Sequence, residues 1–342
     1  MWDVDNQTRY THAHSWDRDR DGADTWIVVI KGTFDILPDG STRVAAEQLP
    51  VSILPQHHGA PGQSSLRLDT DLLRAKPSTD IIVSGSAHAP QHRPVEQIDV
   101  SLRMNTFEKT VRVYGDRVFK RGIVGVKPGA PQPFVTIPLV YERAFGGADL
   151  SGADGERHDW DERNPVGVGY ATYASHLIGK PAPNLEYPPG SSAEIPAGFG
   201  PVAPHWRPRR GWAGTYDKAW EEQRKPLLPD DLDDRYFLSA PHDQQPPTHL
   251  SGGEPVELRH MTPQGVLRFA LPRVVLGFET VFDTGAPVMH RQVLHSVIIE
   301  PDFPRVCMVW QTSLRCHAKV LKLDQTRVTQ KVLVNAKQQA AG

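Results

Sequence analysis

Cysteine is nearly missing from this chain: Cys307 and Cys316 are the only two in 342 residues. A disulfide scaffold is thereby excluded, and a reducing compartment is the simpler expectation. Charge of one sign is also lacking. A net charge of -2 supplies no general counterion-release energy, so neither nucleic acid nor an acidic membrane is an expected partner. Long apolar runs are absent as well, and Trp26–Ile30 is far too short to span a bilayer. The opening MWDVDNQT has no basic segment followed by an apolar one, so no signal peptide is expected and the location expected is cytoplasmic. Proline, by contrast, is plentiful. Its 31 residues nearly double the average usage of about 5%, which breaks long helices and central strands in favour of ordered loops.

The motifs of chemistry are sparse too. There is no G-x-S-x-G elbow, no P-loop and no G-x-G-x-x-G after a strand. Asp17-Arg18-Asp19-Arg20-Asp21-Gly22 mimics the opening of a calcium loop. The twelfth position, where a bidentate acid is needed, is Val28, so a charged turn is the better reading. His12, His14, His57 and His58 have no Cys or carboxylate at a matching spacing, and Cys307 and Cys316 stand too far apart for a zinc knuckle. Cys307 reads as a small core residue. The acids Asp154, Glu156, Asp159, Asp161 and Glu162 could in principle supply a glycosidase pair, although acid-rich loops are usually solvated. No catalytic residue, metal site or cofactor is expected.

Apolar periodicity places strands at both ends of the chain. Residues 25–36 and 80–86 read as buried strands, and Ile98, Val100, Leu102 and Met104 alternate with polar neighbours. Residues 109–114 repeat the alternation, and 114–117 looks like a tight reversal into Val118-Phe119, so the first half is expected to be a meander. Residues 266–271, 294–300 and 305–312 are further strands, the last two joined by the turn Pro301-Asp302-Phe303-Pro304. Between 141 and 250 the chain is Gly- and Pro-rich with little period. One short helix is expected from about Tyr216 to Arg224, capped by Thr215 and ended by Pro226. The expected architecture is one mainly β domain over 1–335, with antiparallel sheets (sandwich-like or highly curved), long ordered loops and a few short helices. It is strand-rich over 20–140 and 251–335 and a loop-rich wrapping over 141–250, with a disordered tail at 336–342.

Residues 198–244 concentrate aromatic and basic side chains in a segment with no regular apolar period. Trp, Tyr and Arg dominate interface energetics, so Trp206, Arg209, Arg210, Trp212, Tyr216, Trp220 and Arg224 are the candidate partner-binding residues. The bland reading is that the tryptophans fill a core while the arginines bond loop carbonyls. Asp230, Asp231, Asp233 and Asp234 would then answer those arginines within the molecule.

The same segment resembles the hallmark of the DUF2169 family. The resemblance rests on Gly198-Phe199-Gly200-Pro201, Trp206, Pro208-Arg209, Ala213-Gly214-Thr215-Tyr216-Asp217, Trp220, Arg224, Pro226, Leu228-Pro229, Asp231, Asp233, Arg235, Ala240-Pro241 and Asp243-Gln244. Tyr141 to Gly147 (YERAFGG), Asn164-Pro165-Val166-Gly167 and the WIVVIKGTFDI strand extend it over about 20–315. Leu232 departs from the commoner Phe. The resemblance implies a type VI secretion adaptor or chaperone that binds a PAAR-domain toxin effector and helps load it on the VgrG spike, itself a second candidate partner. It carries over no contact residue. The rivals are a β-rich carbohydrate-active enzyme or glycan-binding module, and a structural baseplate-like component.

Overall fold

The apolar run at Trp26–Ile30 becomes the middle of a 13-residue strand, Asp24–Ile36. The computed structural model describes residues 2–74, 76–105, 107–151, 159–189 and 194–331. In it, Thr11–Arg18, Asp24–Ile36, Arg305–Arg315, Val293–Glu300 and Asp80–Val83 hydrogen-bond in that order as one sheet. Even-numbered residues of the long strand (Trp26, Val28, Ile30) enter the main core, whereas Ile27 and Val29 enter a second core with Val51, Ile82, Ala240 and Cys307. A sheet covered on both faces needs apolar residues at successive positions, which is why this strand shows no alternation.

Two other sheets face the main core. One runs Asp3–Asn6, Leu323–Lys331, Val275–Phe282 and Val288–His290; the other runs Leu185–Glu186, Phe107–Tyr114, Gln97–Met104, Pro255–Arg259 and Val266–Ala270. The Trp26 indole N–H donates to Thr326 Oγ1 at 2.9 Å and so ties the first two sheets together. Trp26, Trp206 and Trp310 are all sealed inside. Burying about 150–250 Å² each, they contribute roughly 4–6 kcal/mol apiece before the entropy of ordering is counted. The fold is mainly β with several antiparallel pairings, and among the described residues no sheet closes into a barrel. Lys218–Gln223 is the only α-helix among the described residues, and no helix there is long and apolar enough to cross a membrane.

Three expectations need correction. The first half is not a meander: Asp24–Ile36 pairs with Arg305–Arg315, and Asp80–Val83 runs parallel to Val293–Glu300. Only Gln97–Met104 and Phe107–Tyr114 form the expected hairpin. Residues 114–117 do not return the chain onto that hairpin either, because Phe119–Arg121 pairs with Val126–Pro128 and Leu185–Glu186 takes the place beside Phe107–Tyr114. The helix cap is Asp217, whose carboxylate accepts from the Trp220 N–H at 2.9 Å, while Thr215 donates to Asp231 instead. An aspartate at N-cap also meets the positive helix end, which threonine cannot match. The strands at 294–300 and 305–312 and the turn between them form as expected. The tail at 336–342, Asp154 and Glu156 lie outside the described residues.

Candidate functional site

Asp80–Val83 is an edge strand, and a bare edge invites wrong pairing. The two ends of the 198–244 segment cover it. Val83 N–H donates to Phe199 O at 3.1 Å, and Gln244 Nε2 donates to Ile81 O and Phe199 O at 2.8 and 3.0 Å. Val202 N–H then donates to Ser239 O at 2.7 Å, which closes the segment into a strap whose middle, residues 204–236, loops outward.

Buried ion pairs pin the strap. Asp80 Oδ2 accepts from Lys76 Nζ at 2.6 Å and from the Ser239 N–H at 2.8 Å, and its Oδ1 accepts from the Ala240 N–H at 2.9 Å. Burial acts to raise this carboxyl's pKa, yet the Lys76 charge and these hydrogen bonds hold it below the usual range. Lys109 Nζ donates to Gly198 O at 2.5 Å and to Asp243 Oδ1 at 2.8 Å. Burial pushes its pKa down to about 8 against the pull of Asp243. Tyr187 donates to Asp243 Oδ2 at 2.9 Å, and burial pushes its phenol up, with Asp243 adding. It therefore stays a neutral donor. Gly198 is needed because a Cβ there would sit 2.7 Å from the Tyr141 ring.

The seven nominated residues divide. Trp206 is 2% exposed and meets Tyr141 edge-to-face at 5.7 Å. Arg209, also 2% exposed, donates to Asp69 at 2.9 Å, Val202 O at 2.6 Å and Tyr236 O at 3.0 Å. An indole and a guanidinium so enclosed pack within the strap, and Arg209 also lines a pocket. Arg210 is exposed and lies 3.4 Å from Glu162. Trp212 is half-buried beneath the Arg235 guanidinium, 4.9 Å from its ring centre. Tyr216, 54% exposed, meets Trp220 at 4.8 Å. The Trp220 indole donates to Leu227 O, and Arg224 donates to Leu228 O and Arg20 O. Tyr216, Trp220 and Arg224 thus form a local cluster around the helix. Gly214 turns the chain into it at φ +82, where a Cβ would lie 2.7 Å from Pro229.

The strap and Tyr141, Arg163, Tyr187, Ile195 and Pro196 line this pocket of about 130 Å³. Trp212, Pro208, Pro241, Ile195, Pro196 and Val202 give it an apolar bed; Tyr141 and Tyr187 close one side, and Arg163, Arg207, Arg209 and His242 supply the polar margin. A dry cavity of about 150 Å³ accepts benzene, so this one admits a single ring or branched aliphatic side chain. Of the nominated residues only Arg209 and Trp212 line it. Tyr141, Tyr187 and Ile195 escaped sequence reasoning because they stand in turn-like stretches, and only tertiary folding brings them against Trp212. Two aromatics inside a stretch otherwise built of turns were the available signal.

Of the acids near 154–162, the described Asp159, Asp161 and Glu162 are committed elsewhere. Asp161 pairs with Arg163 at 2.5 Å. Asp159 accepts from the Tyr170 hydroxyl at 2.6 Å, which holds its carboxyl below the usual range. The Asp17–Asp21 run ends the Thr11–Arg18 strand and enters a turn, with Asp19 and Asp21 both paired to Arg315 and Asp17 to Arg74. Cys307 is a buried free thiol whose pKa burial raises. Among the described residues, no three His, Cys, Asp or Glu gather as a metal set.

Compared with known proteins, residues 21–311 match the family model for an uncharacterized protein conserved in bacteria (DUF2169). No curated protein and no solved structure matches the chain.

Proposed function

The chain belongs to the DUF2169 family, and from that premise we propose that it is a non-enzymatic cytoplasmic adaptor that holds a type VI secretion effector for loading. The partner is the PAAR-linked N-terminal region of a toxin effector, with the VgrG spike protein as the recipient. One observation supports this reading above the rest. The strap's buried ion pairs hold rigid an apolar pocket with arginines at its margin. A side chain entering such a pocket is desolvated within a polar surround, the usual setting of an interface hot spot. The glycan-acting reading draws no comparable support, since a general acid needs a raised carboxyl pKa and Asp159 has the opposite.

The test is titration of the full-length protein with the N-terminal region of a PAAR effector. Trp212→Ala is expected to weaken binding by roughly 30-fold, the effect of about 2 kcal/mol at a hot spot, and Arg207→Glu is expected to weaken it further at low salt. Tyr216→Ala, in the helix cluster, is expected to change it less than threefold. A wild-type protein that does not bind the effector would defeat the adaptor reading. Binding indifferent to Trp212→Ala and Arg207→Glu would remove the pocket from it.

A further inference from the structure

The hairpin of Phe119–Arg121 and Val126–Pro128 carries an unusual tip. Its turn, closed by the Gly122 N–H donating to Gly125 O at 2.9 Å, presents Ile123 and Val124, which are 105% and 89% exposed. Turn tips ordinarily carry small polar residues, so two adjacent aliphatic side chains standing clear of all neighbours ask for an explanation. Lys120 and Lys127 face each other directly across the strands, and like charges so placed are mutually destabilising. Neither lysine, nor Arg121, nor nearby Lys180, has a carboxylate partner among the described residues.

The protrusion is firmly rooted. Phe119 N–H donates to Lys180 O, the Gly179 N–H donates to Phe119 O and the Gly129 N–H donates to Val118 O, at 2.8–2.9 Å, and Phe119 itself is buried. The short helix Ala174–Leu177 touches the Val126–Pro128 strand, and the exposed Tyr173 and Ile178 flank that helix. Apolar groups therefore stand outermost, with unpaired cations behind them and a tyrosine beside the root.

We propose that this hairpin docks the protein onto an anionic lipid surface. The argument is one of depth and shape. Each lysine lies three residues behind the tip, up to roughly 10 Å at about 3.3 Å per residue. That matches the depth of about 5–10 Å at which an interfacial element sinks its apolar face while its cations meet the phosphates. Ile123 and Val124 enter the acyl boundary, Lys120, Arg121, Lys127 and Lys180 neutralise lipid phosphates, and Tyr173 sits at headgroup level, where tyrosine concentrates. A convex tip needs no preformed cavity in a fluid acceptor, whereas a protein would have to supply a matching pocket. The overall charge of -2 conceals this local concentration. The docking is separate from the adaptor reading and uses a different surface.

Sedimentation of the full-length protein with vesicles tests it. Vesicles of phosphatidylcholine with phosphatidylglycerol are expected to carry the protein down, and vesicles of phosphatidylcholine alone to leave it in solution. Ile123→Ser with Val124→Ser, and separately Lys120→Glu with Lys127→Glu, are expected to lower vesicle affinity by roughly tenfold or more, and higher salt to weaken it. All these positions are exposed, and an unchanged thermal midpoint verifies that the variants fold. The proposal is overturned if the wild type ignores phosphatidylglycerol vesicles, or if both double variants bind them as well as it does. Loss of effector binding by the double variants, without lipid binding by the wild type, would overturn it in favour of a protein-docking knob.

Discussion

His295 is 3% exposed, stacks on His249 at 6.1 Å, and its Nδ1 has no hydrogen-bond partner among the described residues. Burial pushes its pKa down to about 3, with the Lys76 charge and His249 adding and Asp80 opposing. His290 is lowered by burial to about 4; around it the Thr312 hydroxyl meets Nδ1 at 3.2 Å. In the unfolded chain both rings take up a proton near their ordinary pKa of about 6.5. Below that pH the unfolded state binds more protons than the folded one. Stability is therefore complete above about pH 6.5 and falls as the pH drops toward 3. Each such histidine costs up to about 1.4 kcal/mol per pH unit in that window. Urea unfolding between pH 6.5 and 4.5 is expected to show this decline, and His295→Gln to flatten it by about one proton; an unaltered slope would refute the assignment. None of this was legible locally. His12, His14, His57 and His58 drew notice for their spacing, whereas His295 stands with Ser296 in a largely apolar strand, and its depth depends on what covers that strand.

The strap behaves as a unit because one guanidinium joins two of its parts to a neighbouring loop. Arg209 links the Asp69 loop, Val202 at the strap's start and Tyr236 near its end. Removing it strands the Asp69 carboxylate, itself buried to 7% exposure, and breaking such a pair costs about 3–5 kcal/mol. Arg209→Ala is therefore expected to lower the thermal midpoint and to make residues 204–236 the first site of limited proteolysis. Arg209→Lys is expected to recover only part, since an ammonium cannot reproduce the fork. Protease resistance equal to the wild type would show that the strap is held otherwise. Of the aspartates after the helix, Asp230 answers one of the expected arginines, Arg224, whereas Asp231 accepts from Thr215, Asp233 pairs with Arg235 and Asp234 with Arg20. The helix was legible to within two residues because its signals are local: Pro226 stops it, and Glu221 reaches Lys225 at 3.5 Å. The cap was misplaced because Thr215 was already engaged by Asp231, a contact sixteen residues distant.

At the scale of the molecule, the long strand Asp24–Ile36 lies between Thr11–Arg18 and Arg305–Arg315, so one sheet needs both ends of the chain. A fragment ending at residue 250 loses Arg305–Arg315 and Val293–Glu300 and exposes the apolar faces they cover. It is expected to show no cooperative thermal transition by circular dichroism, and a sharp transition would mean that the first part folds alone. Strand positions such as 25–36, 97–104, 294–300 and 305–312, the buried Cys307, and the mainly β character all followed from the sequence alone. Side-chain alternation and turn residues act over a few positions and do not depend on distant partners. Which strand neighbours which, that Trp206 and Arg209 sink while Trp212 and Tyr216 remain accessible, and that Tyr141, Tyr187 and Ile195 meet around one pocket were decided only by the tertiary structure. Those outcomes come from competition among distant segments for the same buried surface, and no local pattern encodes its result.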